Sequence, residues 1–444
     1  MHTINIRSFD MDARGVGHLE NEDGTPGKVV FVEGALPGEV VGFNTYKKKT
    51  TWEVATMGPI VKASSQRISP KCAYFGVCGG CSMQHLEPGA QVAMKQRILE
   101  DNLGHIGKVK SEMMMRPIYG PTWGYRYRAR LSVRHVHKKA TVLVGFHEKK
   151  SRYVANMETC DILPAHVSQM LMPLRTLIAS LSIIEKLPQI ELAMGEGVTA
   201  LVLRILAPLS ADDEVKLKLF ADQYQIQWWL QPNGAESAAP YYPEGGDLHY
   251  LLPEFGVKMP FKPTDFTQVN HQINRVLVAR ALRLLDAQKD DRIADLFCGL
   301  GNFTLPIATM AGSVVGIEGS STLTERALEN AKINNLEAKT SFSTRNLFEI
   351  TAEDFAILGK FDRFLIDPPR DGAMAVCQAL IDLGKFAPHL KPKRIVYVSC
   401  SPATLARDAG MLVNQAGYRL SMAGVVNMFP HTSHVESMAV FDLI

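Results

Sequence analysis

The C-terminal part of the chain, residues 259–444, alternates short apolar segments with segments of helical periodicity. Such alternation predicts a mostly parallel, doubly wound α/β sheet with helices on both faces. The expected strands are residues 292–297, 313–317, 363–366 and 394–398. A helix capped by Thr264 or Asp265 is expected before the first strand, ending at about Leu285. Two last strands, residues 424–428 and 436–443, are expected to add an antiparallel hairpin.

A cysteine follows the last parallel strand. Cys400 comes two residues after the apolar residues 394–398, and Pro402 favours the first turn of a helix expected over residues 403–412. The thiol should therefore lie at the carboxyl edge of the sheet, where open α/β folds bind ligands. A helix N terminus favours the thiolate, so the pKa of Cys400 is expected to fall below its usual value. A buried structural cysteine is the alternative.

A glycine-containing turn and two acidic residues lie at the same expected edge. Residues 295–302 read Asp-Leu-Phe-Cys-Gly-Leu-Gly-Asn, and Glu318 ends the next strand. Glycines let a nucleotide approach the backbone, and a carboxylate can accept hydrogen bonds from ribose hydroxyls. A dinucleotide fingerprint has a third Gly or Ala at the position that Thr304 occupies in this chain. The absence of that residue favours S-adenosylmethionine over NAD as the cofactor. Residues 367–369, Asp-Pro-Pro, predict a rigid turn at the site of methyl transfer, although amino-methyltransferases have a similar element.

Glu436, at the start of the final strand, is a candidate general base. A methyl donor, a thiol and a carboxylate together suggest methylation of carbon 5 of uracil. Cys400 would add to carbon 6, carbon 5 would take the methyl group, and Glu436 would remove the carbon-5 proton. The nucleotide must then be single-stranded or flipped out. A metal site built from His431, His434 and Glu436 is disfavoured, because Pro430 and the strand pattern exclude the required helix.

Four cysteines in the first half could bind one metal centre: Cys72, Cys78, Cys81 and Cys160. A zinc site usually has two C-x2-C pairs, so the uneven spacing of these cysteines favours a [4Fe–4S] cluster over zinc. Unliganded thiols are the third possibility. The total of seven cysteines is odd and unevenly spread, which argues against a secreted disulfide framework and for a reducing cytoplasm.

A basic strand is expected after residue 122. At period two, one face of this strand carries Arg126, Arg128, Arg130 and Arg134, and the other face carries Tyr125 and Tyr127. Few acidic residues are close in sequence, so the guanidinium groups are expected to contact RNA; a solvated face with ordinary ion pairs is the alternative.

The net charge of +3 does not itself indicate a nucleic-acid partner, and no apolar run is long enough to span a membrane.

The length of 444 residues predicts two or three domains. Residues 1–62 contain short expected strands separated by Gly/Pro turns, which predicts a small antiparallel barrel, and the middle of the chain has a mixed α/β pattern.

Taken together, these segments resemble the RNA uracil-5-methyltransferases, and most of all the branch for 23S ribosomal RNA that has an iron–sulfur cluster and an N-terminal TRAM barrel. The resemblance covers nearly the whole chain: the barrel, the four cysteines and residues 367–372, 398–408 and 428–436. It implies an OB-like TRAM barrel over residues 1–62. It also implies a central iron–sulfur and RNA-binding domain (residues 63–87 and 120–258) and a Rossmann-like S-adenosylmethionine-dependent methyltransferase domain (residues 88–119 and 259–444).

By this resemblance Cys400 is the nucleophile, Glu436 is the base, and Cys72, Cys78, Cys81 and Cys160 hold a [4Fe–4S] cluster. The residues expected to contact S-adenosylmethionine are Gln268, Phe297, Asn302, Glu318, Asn346 and Asp367. The implied substrate is uridine 1939 of 23S ribosomal RNA, with another 23S or a tRNA uridine as the alternative. A cytoplasmic protein is expected, and no membrane or protein partner is implied.

One residue departs from the pattern of the family. Family members commonly have Asn after the nucleophile, and this chain has Ser401, which should alter substrate contacts without abolishing the chemistry.

Two other classes of function stay open from the residues alone. These are an exocyclic-amine methyltransferase, because of the Asp-Pro-Pro turn, and a non-catalytic RNA-binding or ribosome assembly factor, because of the barrel and the arginine row.

Overall fold

The N-terminal strands curl into one sheet. The computed structural model describes residues 2–21 and 24–444. The strands are β1 (Thr3–Asn5), β2 (Ser8–Phe9), β3 (Arg14–Glu20), β4 (Pro26–Glu33), β5 (Val40–Lys48) and β6 (Trp52–Lys62). Their order in the sheet is β1-β5-β6-β4-β3-β2. The two edge strands, β1 and β2, are successive in the chain, so the sheet bends around until its edges meet, enclosing Ile4, Val30 and Val32.

The next segment joins the cysteine-rich loop to the C-terminal domain. After residues 72–81, which we call the cysteine loop, the chain forms helix α1 (Pro88–Asn102), a π-helical turn (Leu103–Gly107) and strand β7 (Met113–Met114). Ile98 and Leu99 of α1 pack into the core of the C-terminal domain, and β7 is an edge strand of its sheet. The segment therefore packs with residues that follow it by more than 150 positions.

A second mixed sheet forms the middle of the molecule. Its elements are β8 (Arg128–Val136), β9 (Thr141–Gly145), α2 (Ala165–Ala179), β10 (Gln189–Met194), β11 (Thr199–Arg204), α3 (Ala211–Tyr224), β12 (Gln227–Gln231) and β13 (Ala239–Tyr242). The sheet order is β13-β12-β11-β10-β8-β9, and α2 and α3 bury Leu174 and Leu217 against Leu131 and Trp228. A hairpin of β14 (His249–Leu252) and β15 (Val257–Pro260) follows, and it packs on the C-terminal domain through Tyr250 and Met259. The boundary expected after residue 258 lies inside β15.

The C-terminal domain is an α/β sheet with helices on both faces, as the sequence predicts. Its elements are α4 (His271–Leu285), β16 (Arg292–Leu296), α5 (Thr304–Ala308), β17 (Ser313–Glu318), α6 (Ser321–Ile333), β18 (Thr340–Thr344), α7 (Ala352–Leu358), β19 (Arg363–Ile366), α8 (Met374–Phe386), β20 (Arg394–Ser399), α9 (Pro402–Asn414), β21 (Tyr418–Val426) and β22 (Glu436–Leu443). The order is β18-β17-β16-β19-β20-β22-β21-β7. Strands β16 to β20 are parallel, and β22 runs antiparallel to both neighbours.

Two element boundaries predicted from the sequence are wrong. Helix α4 begins after Asn270 and not at Thr264 or Asp265, because the Asn270 side chain accepts a hydrogen bond from the Ile273 N–H at 3.1 Å and caps the helix. The first hairpin strand spans Tyr418–Val426 instead of residues 424–428. It ends there because the Asn427 N–H donates to the Ile118 carbonyl at 2.7 Å, outside the β21–β22 ladder.

Within the described part of the chain, no helix combines the length and the apolarity that a membrane span requires.

Candidate active site

Strand pairing brings Cys400 and Glu436 to opposite positions at the carboxyl edge of the sheet. The antiparallel pairs of β20 and β22 run from Arg394–Asp442 to Ser399–Ser437, and the next residues in line are Cys400 and Glu436. The parallel pairing of β19 with β20 puts Asp367 at the same edge, directly after Ile366. A thiol and two carboxyl groups from three neighbouring strands therefore converge.

Burial controls the protonation of these three groups. Burial first, and then the carboxyl groups of Glu436 and Asp367, raise the pKa of the Cys400 thiol to about 11, while Arg370 opposes the shift. The expectation that the N terminus of α9 lowers this pKa is therefore wrong for the free protein, because desolvation of the thiolate outweighs the helix dipole. Burial also raises the pKa of Glu436 well above its usual value, with Asp367 adding to the shift. For Asp367 itself, burial raises the pKa to about 7.

The turn that carries Cys400 is fixed by serine hydroxyls. Ser401 is the N-cap of α9, and its hydroxyl accepts from the Thr404 N–H at 3.5 Å. The Ser401 N–H in turn donates to the Ser399 hydroxyl at 3.1 Å. Asn is as good an N-cap as Ser, so the departure at residue 401 leaves this local structure intact.

Asp408 anchors the loop after the Asp-Pro-Pro turn. This buried carboxylate accepts hydrogen bonds from the Ala373 N–H at 2.7 Å, the Tyr397 hydroxyl at 2.7 Å and the Arg407 Nε at 2.8 Å. Thr404 adds a hydrogen bond to the Arg370 carbonyl at 3.1 Å. Helix α9 thereby holds residues 367–373 next to Cys400. The sequence gives Asp408 within the segment that resembles the family, but not this role.

The glycine-containing turn adopts the conformation that a close nucleotide approach requires. Phe297, Gly299 and Gly301 all have positive φ, at 64°, 53° and 90°. Glu318 fastens the turn by accepting from the Gly299 N–H and from the Ser320 N–H, both at 3.1 Å. For the non-glycine Phe297, the left-handed conformation is a strained one, of a kind that clusters at ligand sites.

Asn302 is the last residue of this turn, and its side chain has three hydrogen bonds. Asn302 exchanges hydrogen bonds with Asn274 at 2.9 and 3.2 Å and accepts from the Tyr250 hydroxyl at 2.9 Å. Asn346 accepts from the Phe348 N–H at 3.1 Å, and Gln268 is half-buried in the loop before α4. Asn274 and Tyr250 are not predicted from the sequence, because their approach to Asn302 depends on how α4 and the β14–β15 hairpin pack.

The four cysteines of the first half line one small cavity. Cys72, Cys78, Cys81 and Cys160 surround it together with aromatic residues that include Tyr74 and Phe146. Burial raises the pKa of Cys81 to about 11 and of Cys160 to about 12, and neighbouring thiols add to both shifts. The Gly80 N–H donates to the Cys78 sulfur at 3.4 Å. Four sulfurs with N–H donors in an enclosed pocket fit a thiolate-bound metal centre.

The arginine row is partly paired. On β8, Arg128, Arg130 and Arg134 share a face, while Arg126 precedes the strand. Arg130 forms an ion pair with Glu191 of β10 at 3.0 Å, and Arg128 donates to the carbonyls of Thr264 and Asp265. Few acidic residues are close to these arginines in sequence, but Glu191, which is distant in sequence, is adjacent to Arg130 in the sheet. Arg130 is still 68% exposed.

His431 has a structural environment. Its ring stacks on Trp123 with 4.0 Å between centroids, and its Nδ1 lies 3.2 Å from Gln91 Nε2.

Comparisons with known proteins agree on one family. The family model described as tRNA (Uracil-5-)-methyltransferase matches residues 255–442. The 23S rRNA (uracil(1939)-C(5))-methyltransferase RlmD of Cupriavidus metallidurans is 66% identical over 439 residues, covering 99% of this chain and 94% of that protein. The enzyme of the same name from Ralstonia pickettii is 64% identical over 442 residues, 99% of this chain and 98% of its own.

One solved structure has the same overall fold. The Pyrococcus abyssi tRNA (uracil-54, C5)-methyltransferase, in complex with S-adenosyl-L-homocysteine, superimposes with a TM-score of 0.73 at 23% identity, covering 99% of this chain and all of that one. At that identity the match concerns the fold. The sequence identity to the two bacterial enzymes over nearly the full length is the stronger result: the chain belongs to the family of 23S rRNA (uracil(1939)-C(5))-methyltransferases.

Proposed function

We propose that this chain uses S-adenosyl-L-methionine to methylate carbon 5 of uridine 1939 in 23S ribosomal RNA, through a covalent bond between Cys400 and carbon 6 of the uracil. The position of Cys400 opposite Glu436, at the edge that also carries the glycine turn, supports this reaction most directly. Its relatives of 66% and 64% identity have names that state the same reaction on the same nucleotide. Since ribosomal RNA is the substrate, the reaction belongs in the cytoplasm.

The two site residues act in sequence. The Cys400 thiolate adds to carbon 6, and the electron pair of the 5,6 double bond moves to give an enolate that makes carbon 5 nucleophilic. S-adenosyl-L-methionine supplies the methyl group, which bonds to carbon 5 as the sulfonium becomes a neutral thioether. Glu436 then takes the carbon-5 proton, the double bond re-forms, and the bond from carbon 6 to the Cys400 sulfur breaks. General-base help of this kind contributes about 10²–10⁴-fold.

The raised pKa values of Cys400 and Glu436 bear on how the two groups are activated. In the free protein, burial favours the protonated forms of the Cys400 thiol and the Glu436 carboxyl. A positively charged ligand at this edge favours loss of both protons, because it stabilises the thiolate and the carboxylate. Binding of the methyl donor, whose sulfonium is positively charged, therefore favours the reactive forms of the nucleophile and the base.

Two binding sites complete the proposal. S-adenosyl-L-methionine would be held by Gln268, Phe297, Asn302, Glu318, Asn346 and Asp367. Cys72, Cys78, Cys81 and Cys160 would hold a [4Fe–4S] cluster with a structural role, since no step of this reaction transfers an electron. Residues 2–62, whose sheet closes on itself, fit the TRAM barrel that relatives of this branch carry.

The test uses anaerobically purified protein, tritiated S-adenosyl-L-methionine and a 23S RNA fragment with 5-fluorouridine at position 1939. Fluorine at carbon 5 cannot leave as a proton, so a covalent protein–RNA adduct should survive denaturation and carry the tritiated methyl group. Cys400→Ala should form no adduct while still binding S-adenosyl-L-methionine within about twofold. Methyl transfer without an adduct would replace the proposal by amine methylation. Tight RNA binding with neither would replace it by a binding factor.

A further inference from the structure

The hairpin loop that leads to Glu436, residues 427–435, is held by residues from the opposite end of the sequence. Resting on the proposed function, we propose that Lys95 of α1 is a positioning residue for the general base: it fixes this hairpin loop so that Glu436 meets the carbon-5 proton.

Lys95 is buried and points its ammonium group into the hairpin loop. The side chain is 1% exposed, and Nζ donates to Asn427 Oδ1 and to the Phe429 carbonyl, both at 2.8 Å. Among the residues that the structure describes, no carboxylate lies within ion-pair distance of Lys95. Burial accordingly lowers its pKa to about 7. A buried lysine without an acidic partner is costly to the fold, which indicates that its two acceptors give it a specific role.

Further contacts from the same part of the chain hold the hairpin loop. Gln91 Oε1 accepts from the His431 N–H at 2.9 Å, and the N–H groups of Ser82 and Met83 donate to the His431 carbonyl at 2.9 and 3.0 Å. The Tyr125 hydroxyl donates to the Pro430 carbonyl at 2.9 Å. Lys95 holds the beginning of the loop, and these residues hold its middle.

The ends of the loop decide where Glu436 lies. Val426, the last residue of β21, pairs with Glu436, the first residue of β22, so the loop closes directly on the base. Lys95 contacts the residue after Val426 and the residue two further on. Without the ammonium group, Asn427 Oδ1 and the Phe429 carbonyl lose a buried donor, and the loop would shift to recover one.

The order of the chemical steps makes the role of Lys95 measurable. Addition of Cys400 and methyl transfer both precede proton removal by Glu436. A displaced base therefore slows the last step only, and the enzyme accumulates as a methylated adduct on ordinary uridine RNA. A general defect of folding or of RNA binding would lower adduct formation and turnover together. A misplacement of about 1 Å commonly costs about 10²-fold in rate.

The experiment compares Lys95→Met with wild type, using 23S RNA fragments with ordinary uridine and tritiated S-adenosyl-L-methionine. In the variant, methyl transfer in the first turnover should stay within about threefold of wild type, while steady-state turnover falls about 10- to 100-fold and a denaturation-resistant methylated adduct appears. Lys95→Gln keeps an amide donor and should fall in between; it carries the test if the Met variant does not fold. Arg97→Met is the matched control, because Arg97 is 67% exposed on α1 and pairs only with Asp101 among its described ion pairs.

Two results would overturn the positioning role. One is turnover of Lys95→Met at the wild-type level. The other is an equal loss of first-turnover methyl transfer and steady-state turnover, with no adduct. Wild-type protein on 5-fluorouridine RNA is assayed in parallel. An adduct there, with none in Lys95→Met on uridine RNA, would overturn this inference and leave the proposed function standing. No adduct in wild type would overturn the proposed function itself.

Discussion

Glu436 and Cys400 each lie one residue beyond Ser437 and Ser399, the pair that ends the β20–β22 ladder. The proposed base and nucleophile thus come from adjacent strands whose backbones are hydrogen-bonded to each other. In the proposed mechanism their separation is therefore set by the sheet, and the hairpin loop and the α9 turn make the final adjustment.

Glu436→Gln should separate methyl transfer from product release. The amide has the same shape but cannot take the carbon-5 proton, so turnover should fall about 10²–10⁴-fold while one methyl group per enzyme is still transferred. The measurement is rapid-quench transfer of tritium to uridine RNA, followed by gel separation of the adduct. Full multiple turnover by this variant would assign the base role to another group.

Asp367→Asn should become more stable relative to wild type as the pH rises. Burial raises the pKa of Asp367 from 3.8 to about 7, so the folded state favours the protonated form. The stability that this preference contributes is full below about pH 4 and is lost as the pH rises through 7, and the amide does not titrate. The difference in Tm should grow by a few degrees between pH 5 and pH 8 in thermal unfolding. Asp382→Asn, at an exposed carboxylate on α8, should show no such gain.

Asp408→Asn should weaken both the fold and the site. The buried carboxylate accepts from Ala373, Tyr397 and Arg407, and replacing it leaves the guanidinium without its partner. We expect a loss of about 2–4 kcal/mol in the free energy of unfolding, measured by urea titration, and slower adduct formation on 5-fluorouridine RNA. The exposed pair of Asp382 and Lys385 provides the control, where Asp382→Asn should cost less than about 1 kcal/mol. Equal losses in the two variants would contradict the anchoring role of Asp408.

Cys78→Ser should abolish the proposed metal centre, since the Cys78 sulfur lines the cavity with the other three cysteines. Anaerobically purified wild type should contain about four iron atoms per chain and absorb near 400 nm if the proposed cluster is bound, and the variant should lose both. Cys377→Ser is the matched control, because Cys377 is buried in α8 away from that cavity. One zinc per wild-type chain and no iron would replace the cluster by a zinc site.

Arg130→Gln should weaken RNA binding without changing the chemistry. Arg130 is exposed although it pairs with Glu191, so it is available to a phosphate. We expect the slope of log affinity against log salt to fall by about one, with methyl transfer unchanged at saturating RNA. Arg419 of β21, which pairs with Glu112 at 3.4 Å and with Asp442 at 3.9 Å, serves as the control in Arg419→Gln. An unchanged salt dependence would make Arg130 a purely structural partner of Glu191.

Features that depend on local patterns could be predicted from the sequence. Buried parallel strands are short apolar runs, and the residues at their carboxyl ends must meet at one edge, so the sequence places Cys400, Asp367 and Glu318 at a common edge. The cysteine spacing likewise predicted a shared site for Cys72, Cys78, Cys81 and Cys160, and they do line one cavity.

Features that depend on burial and on distant neighbours were decided only by the tertiary structure. The pKa of Cys400 rises instead of falling, because desolvation at the folded edge exceeds the effect of a helix end. Arg130 has an acidic partner because β10 lies beside β8, and Lys95 contacts residues more than 330 positions away. Periodicity in a sequence records which face of an element is apolar, but not which element covers it. The groups that contact the loop before Glu436, the proposed base, are therefore determined by packing.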